Sequence, residues 1–258
     1  MSNPIFFVEP AELASLSVGD AYSLAGAEGR HAVTVKRITA GESVDLCDGE
    51  GLRLVCTATD AAAGVLQVTV DQAVREPVPE FELVLVQALA KGDRDELAIE
   101  MATELGVDGV VPWQAERSIV RWKADKAAKG LAKWRNVVST AAKQARRSRI
   151  PWVGELVGTA ALLTMIETAD LALILHEEAR ASVRQNLDDW LANSPTGSGD
   201  APRRILMIVG PEGGMSAGEV DAFVQAGARR SLLGHHVLRS STAGPAAVVL
   251  LSDQLGRW

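Results

Sequence analysis

Several things that a chain of 258 residues commonly carries are scarce or missing here, and each gap narrows the chemistry open to it. No apolar stretch approaches the ~18 residues that span a bilayer, so no membrane crossing is expected. The opening residues Met1 to Pro10 lack a basic segment and a cleavage pattern, and therefore do not read as a signal peptide. A cytoplasmic location follows as the expectation. Cys47 and Cys56 are the only cysteines; both sit in strand-like runs and read as reduced core thiols. The four histidines, His31, His176, His235 and His236, show no ligand spacing, so no metal is expected. There is no internal repeat and no heptad pattern.

What is present starts with a glycine loop, Val209-Gly210-Pro211-Glu212-Gly213-Gly214-Met215-Ser216, placed between the apolar run Ile205–Ile208 and an amphipathic stretch. A buried strand thus runs into a tight loop that opens a helix, with Ser216 as N-cap and Glu219 as its capping-box partner. The loop has no phosphate-cradling lysine and does not fit G-x-G-x-x-G, which steers away from nucleoside triphosphates and dinucleotides. An uncharged or cationic ligand beside Glu212 fits better.

The net charge of −7 argues against a nucleic-acid partner until it is divided along the chain. Between Arg117 and Arg149 stand eleven Lys or Arg residues and one acid, Asp125, a balance of +10 that leaves −17 for the remainder. Trp122 and Trp134 lie inside this segment, with Trp113 and Trp152 just outside. Basic groups interleaved with flat rings suit phosphate contacts and base stacking.

Residues 1–72 read as short strands separated by turn signals: Ile5–Val8, His31–Val35, Ser43–Cys47, Leu52–Thr59 and Leu66–Val70. That pattern suits a small β-barrel. Residues 73–80, with two prolines, read as a linker. From Phe81 onward strands and helices alternate: strand 81–89, helix 93–105 with an Asp93/Glu96 capping pair, strand 107–112, and a long helix striped by Ala127, Leu131, Trp134, Val138, Ala141 and Ala145. Helix 160–168, strand 171–175, helix 181–191 and a Ser/Gly/Pro loop at 192–202 come next. Strand 205–209, helix 217–226, strand 230–233 and a helix near 245–255 complete residues 81–258. This rhythm implies an α/β domain with a parallel sheet covered on both faces.

Three strand ends in the last third finish in loops bearing polar groups: Leu175-His176-Glu177, Gly210 to Gly214, and Leu233-Gly234 on to Leu238-Arg239-Ser240-Ser241-Thr242. Ligands of parallel sheets sit at the carboxyl ends of strands, so convergence of these loops would form a pocket.

At this point the chain resembles a known family. The carriers are Arg30-His31-Ala32-Val33 with Lys36-Arg37, then Lys91-Gly92-Asp93-Arg94 followed by Ala102 to Val107. Glu116-Arg117-Ser118, Trp134 to Arg149 with Gln144, the loop Gly210 to Gly214, and Leu233-Gly234 with Leu238 to Ala243 complete the set. Together they resemble the bacterial 16S ribosomal RNA uridine N3-methyltransferases of the SPOUT (trefoil-knot) superfamily. Two departures stand out. Met215 replaces the usual aromatic, and Ser241 replaces a usual carboxylate, which argues against an indispensable base there.

The resemblance implies a PUA-like β-barrel joined to a C-terminal SPOUT parallel-sheet domain whose chain threads a knot. Connection rules alone would not propose such threading. It also implies S-adenosyl-L-methionine as cofactor, a homodimer, and the 16S rRNA of the assembled small ribosomal subunit as partner, with no membrane and no metal. Cofactor contacts are expected from Leu175, His176, Glu177, Gly210, Pro211, Glu212, Gly213, Gly214, Leu233, Gly234, Leu238, Ser240 and Thr242. RNA contacts are expected from Arg30, His31, Lys36, Arg37, Arg94, Arg117, Arg121, Arg146, Arg147 and Arg149. Uridine N3 attacks well only after losing its proton, so a base or an anion-stabilising cation is needed. Glu212 is the candidate base or substrate anchor, though it could equally serve only the helix dipole. Arg239 is the candidate anion stabiliser. Rival readings are a methyltransferase of another RNA, a non-catalytic RNA-binding protein, and a nucleotide-dependent oxidoreductase, the last lacking its fingerprint.

Overall fold

The computed structural model describes residues 3–123, 125–194 and 201–258. Met1, Ser2 and the middle of the loop expected at 192–202 lie outside them. The chain divides into two compact units: residues up to Val78 with Ala142–Ile150, and Pro79–Ala141 with Pro151–Trp258.

The first unit comprises β1 (Ile5–Phe7), α1 (Pro10–Ala14), β2 (Ala21–Leu24), α2 (Gly26–Arg30), a π-helical turn over His31–Val35, β3 (Ser43–Cys47), β4 (Leu52–Ala62) and β5 (Val65–Arg75). The strands pair in the order β1-β3-β4-β5-β2. Alternation decides which side is buried: Leu54, Cys56 and Ala58 of β4, with Leu66, Val68 and Val70 of β5, face Phe6, Leu13 and Leu46. Both cysteines are buried and free. Burial pushes each thiol up to about 12.

Three expectations change in this unit. His31–Val35 is helical, although Val33-Thr34-Val35 favours a strand by local propensity. It continues α2, whose Gly29 is pressed so closely on β2 that a Cβ would lie 2.2 Å from the Leu24 carbonyl oxygen. Packing overrides the β-branched preference. The expected linker at 73–80 begins later, because β5 runs to Arg75 and pairs there with Leu52. Lastly, residues 142–150 belong with this unit. Lys143 Nζ meets the Glu28 carboxylate at 2.6 and 2.7 Å, the Ile150 amide donates to Gly49 O at 2.9 Å, and Arg53 donates to the Arg146 carbonyl at 2.9 Å.

The second unit runs β6 (Phe81–Ala88), α3 (Arg94–Glu104), β7 (Gly109–Trp113), α4 (Asp125–Gln144, its last turn in the first unit), β8 (Trp152–Val153) and α5 (Thr159–Thr168). It continues with β9 (Leu171–Leu175), α6 (Val183–Asn193), β10 (Arg203–Val209), α7 (Ala217–Gln225), β11 (Arg229–Ser231) and α8 (Ser240–Gln254). All six strands are parallel, in the order β11-β9-β10-β6-β7-β8. Helices cover both faces, so the central strands read as unbroken apolar runs. On one face Val84, Val86, Ile174, Leu206 and Ile208 pack on Leu162 and Ile166 of α5 and on Val220 and Phe223 of α7. On the other, α8 returns to lie on β6, β10 and α3. It comes close because Gly244 faces Leu85, where a Cβ would sit 2.8 Å from the side chain.

Two helix starts differ from expectation. Asp93 does not cap α3: it takes a left-handed conformation (φ 57°) and makes no side-chain cap bond. Lys133 of α4 instead draws in both expected partners, Asp93 at 3.3 Å and Glu96 at 2.6 Å. Helix α8 begins at Ser240, not near Pro245, which lies inside it and deprives one turn of a backbone N–H. Near the carboxyl end, Arg257 clamps Asp108 through two bonds of 2.7 and 2.9 Å and also reaches the carbonyls of Phe81 and Gly106.

In α3, Asp95 is 5% exposed, and burial raises its carboxyl from the usual carboxylate range to about 6. The folded state therefore holds this proton to higher pH than the unfolded chain. Between roughly pH 4 and pH 6 that difference lowers stability as pH rises. Asp95→Asn should flatten this decline and gain up to about 3 kcal/mol at pH 7, about 1.36 kcal/mol for each pH unit. Urea unfolding of both proteins at pH 4.0 and pH 7.0 checks it, with parallel pH profiles counting against the assignment.

Candidate functional site

Strands β11, β9 and β10 are neighbours in one parallel sheet, so their carboxyl ends emerge side by side. The three loops enclose one cavity of about 1050 Å³. It is lined by Leu175, His176 and Glu177 after β9, by Gly210 to Met215 after β10, and by Leu232 to Ser240 after β11. Of the expected cofactor contacts, Leu175, His176, Glu177, Gly210, Pro211, Glu212, Gly213, Gly214, Leu233, Gly234, Leu238 and Ser240 all line it. Thr242 does not: it lies in the first turn of α8 on an exposed face. The earlier start of α8 turns this residue away from the cavity wall.

Local chemistry explains the loop after β10. Gly210 has no room for a side chain, since a Cβ would meet Met215 at 3.0 Å, and Gly214 takes φ 70°. Met215 is 8% exposed and packs beneath the loop, filling with a flexible thioether the place that the resemblance gives to an aromatic. The expected capping box closes α7: Ser216 accepts from the Glu219 amide at 3.1 Å, and Glu219 accepts from the Ser216 amide at 3.0 Å. In the loop after β9, His176 Nδ1 accepts from the Glu178 amide at 3.1 Å. His235 and His236 are exposed on the third loop.

The charged lining has two signs. Arg94, Arg117, Arg230 and Arg239 contribute cations, while Glu177, Glu178, Glu212 and Asp221 contribute carboxylates. Glu212 accepts from the Lys91 amide at 3.0 Å and from Arg94 Nη1 at 3.2 Å. Its carboxylate thus ties the glycine loop to the turn before α3. Arg117 Nη1 reaches the Gly213 carbonyl at 3.4 Å.

Sequence reasoning assigned Arg94 and Arg117 to RNA phosphates alone, but both line the cavity. Arg94 could have been found from position, since it follows the carboxyl end of β6, which pairs directly with β10. Glu178, Asp221 and Arg230 were missed, and nothing in their spacing signalled them. Arg121 donates to the Glu116 carbonyl at 2.9 Å. In the first unit Arg30, Lys36 and Arg37 are exposed on and just beyond α2, and His31 packs edge-on against Phe6 with centroids 6.0 Å apart.

Arg149 departs from the expected phosphate role. Its guanidinium donates to the carbonyls of Glu50 and Glu76 and fastens residues 142–150 to the strands. Arg146 takes φ 59°, a conformation uncommon for a side-chain-bearing residue. Base stacking by the tryptophans fails for two of the four, because Trp113 and Trp134 are fully buried. Trp122 packs edge-on against Trp134, and Trp152 donates to Glu82. Among the described residues no His, Cys, Asp and Glu cluster could hold a metal, and no helix is long and apolar enough to cross a membrane.

Comparison with known proteins agrees with this geometry. Residues 76–252 match the RNA methyltransferase domain model, and residues 24–67 match the RNA methyltransferase PUA domain model. The chain belongs to the RNA methyltransferase family. Among its relatives, ribosomal RNA small subunit methyltransferase E of Mycobacterium bovis is 39% identical over 237 residues, covering 90% of this chain and 86% of that one. The Bacillus subtilis protein of the same name is 28% identical, with 90% of each chain covered. The crystal structure of the Neisseria gonorrhoeae small subunit methyltransferase E, bound to S-adenosyl methionine, has a TM-score of 0.79 at 26% identity and covers 98% of both chains. The sheet and its helices, with a PUA-like unit before them, are the architecture of that family.

If Glu212 is an anchor, Glu212→Ala should speed exchange of the Lys91 amide by about tenfold, the effect of losing a hydrogen bond of about 1.4 kcal/mol. Amide hydrogen exchange reads this directly. An unchanged Lys91 rate would mean that the loop is held by other contacts.

Proposed function

We propose that the protein transfers the methyl group of S-adenosyl-L-methionine to N3 of a uridine in the decoding region of 16S ribosomal RNA, acting as a homodimer on the assembled small subunit. The observation that carries this reading is the single cavity closed by three adjacent strand ends. At about 1050 Å³ it stands at the upper end of small-molecule sites, which leaves room for a base beside a cofactor.

The residues present suit such a cofactor. Leu175, Leu233 and Leu238 supply apolar walls for an adenine, Gly234, with open space where a side chain would stand, allows close backbone approach, and Glu177 can accept from ribose hydroxyls. When bound, S-adenosylmethionine supplies an already electrophilic methyl group. The protein's work is therefore alignment and generation of the nucleophile. Uridine N3 would lose its proton to solvent water in the open cavity, and Arg239, an exposed residue of the lining, would stabilise the resulting imide anion. Glu212, held by Lys91 and Arg94, serves as loop anchor in this scheme rather than as proton acceptor. N3 lies on the pairing edge, so the target base must be unpaired or extruded to enter. Arg30, Lys36 and Arg37 would hold phosphates of the RNA. The return of α8 from the edge strand β11 to the face of β6 and β10 supports the knotted threading as part of the same reading.

Arg239→Ala should retain cofactor binding by calorimetry yet lose at least about 100-fold in methyl transfer, as removal of a charge-stabilising donor commonly does. Reverse transcription across 16S RNA from a deletion strain should lose one strong stop, because N3-methylation blocks pairing. A retained stop would end the uridine N3 assignment. Separately, Arg30→Glu with Lys36→Glu should weaken RNA binding and reduce the salt-dependence slope by about 2. Equal affinity at every salt concentration would confine these residues to surface solvation.

A further inference from the structure

Glu219 does more than cap α7. It is only 5% exposed, and its two carboxylate oxygens gather donors from three separate segments. One oxygen accepts from the Glu116 amide at 2.8 Å and from the Thr159 hydroxyl at 3.0 Å; the other accepts from the Ser216 amide at 3.0 Å. Glu116 immediately precedes Arg117, whose guanidinium meets the Gly213 carbonyl. A Cβ on Gly213 would sit 3.6 Å from both the Arg117 Cβ and its carbonyl oxygen. The Arg117 turn therefore lies directly on the glycine loop, and Glu219 bonds to the chain on both sides of that contact. Thr159 opens α5, whose N-cap, Gly158, has no side chain to cap it, so the same carboxylate also fixes that helix start.

We propose that Glu219 is a positioning residue: by holding Glu116 it sets Arg117 against Gly213 in the cavity wall. This rests on reading the cavity as the methyl-donor site. Glu219 is buried behind the loop and does not line the cavity, so its action passes through Arg117. A carboxylate is suited to this task because it accepts several short N–H and O–H bonds at once, whereas an amide accepts on one oxygen only. Replacing it leaves at least one part-buried amide without an acceptor and lets Arg117 shift against the glycine loop.

The test is a double-mutant cycle of Glu219→Gln and Arg117→Ala, assayed below the melting temperature of all four proteins. Glu219→Gln should lower kcat about 100-fold while the affinity for S-adenosylmethionine, by calorimetry, stays within a few-fold. In the Arg117→Ala background the same change should cost little more. Thr159→Val separates the two duties of the carboxylate. It should lower the melting temperature and leave kcat near that of the parent protein. Where Glu219→Gln does not fold, Glu219→Asp keeps the charge and falls short of Glu116 by one methylene, and should show the same coupling to Arg117. Additive losses, or a kcat unchanged per folded molecule, would overturn the proposal while leaving the cavity assignment intact. A parent protein giving no heat with S-adenosylmethionine would overturn the cavity assignment, and the proposal with it.

Discussion

Parallel pairing of β9 with a neighbour on each side is the constraint on which the rest depends. Ile174 aligns with Ile208 of β10 on one flank and Arg230 of β11 on the other, so three strands leave the sheet side by side at its carboxyl edge. Strand spacing of about 4.8 Å then puts their loops within reach of a single small molecule. Burial of both faces makes this register costly to slip, because a one-residue shift would turn Ile174, Leu206 and Ile208 away from α5 and α7. The loops can thus be irregular and rich in glycine while the frame beneath them is fixed.

Most of that frame was legible in the sequence. Strand 171–175 and the Ser216/Glu219 capping box stand where periodicity and cap chemistry put them, because burial pattern and local signals agree there. His31–Val35 reads as a strand by its own side chains, but tight contact between Gly29 and β2 makes it helical. The Asp93/Glu96 cap fails because Asp93 takes a left-handed backbone and the Glu96 amide donates to the Asp95 carboxylate instead. Of the site, the three loops were visible as strand ends. Arg230 and Asp221 were not, since their place in the cavity depends on packing that no spacing encodes.

Charge segregation along the chain was real, yet it meant two different things. Part of the basic run is structural: Lys143 is spent on Glu28, and Arg149 on two carbonyls. Trp113 and Trp134, expected to meet bases, fill cores instead. A large ring is the cheapest way to bury area in a chain with four Phe and one Tyr. The cavity, by contrast, draws arginines from α3, from the turn after β7, from β11 and from the loop before α8, four places that no single stretch of sequence unites.

The thiols of the first unit carry one last implication. A sulfhydryl reacts with oxidants and alkylating reagents as its thiolate, and with both groups held near 12 that form is almost absent at neutral pH. While the sheet is closed, Cys47 and Cys56 stay silent toward such reagents. They become ordinary thiols only when β3 and β4 part, so the speed of their labelling counts openings of this sheet.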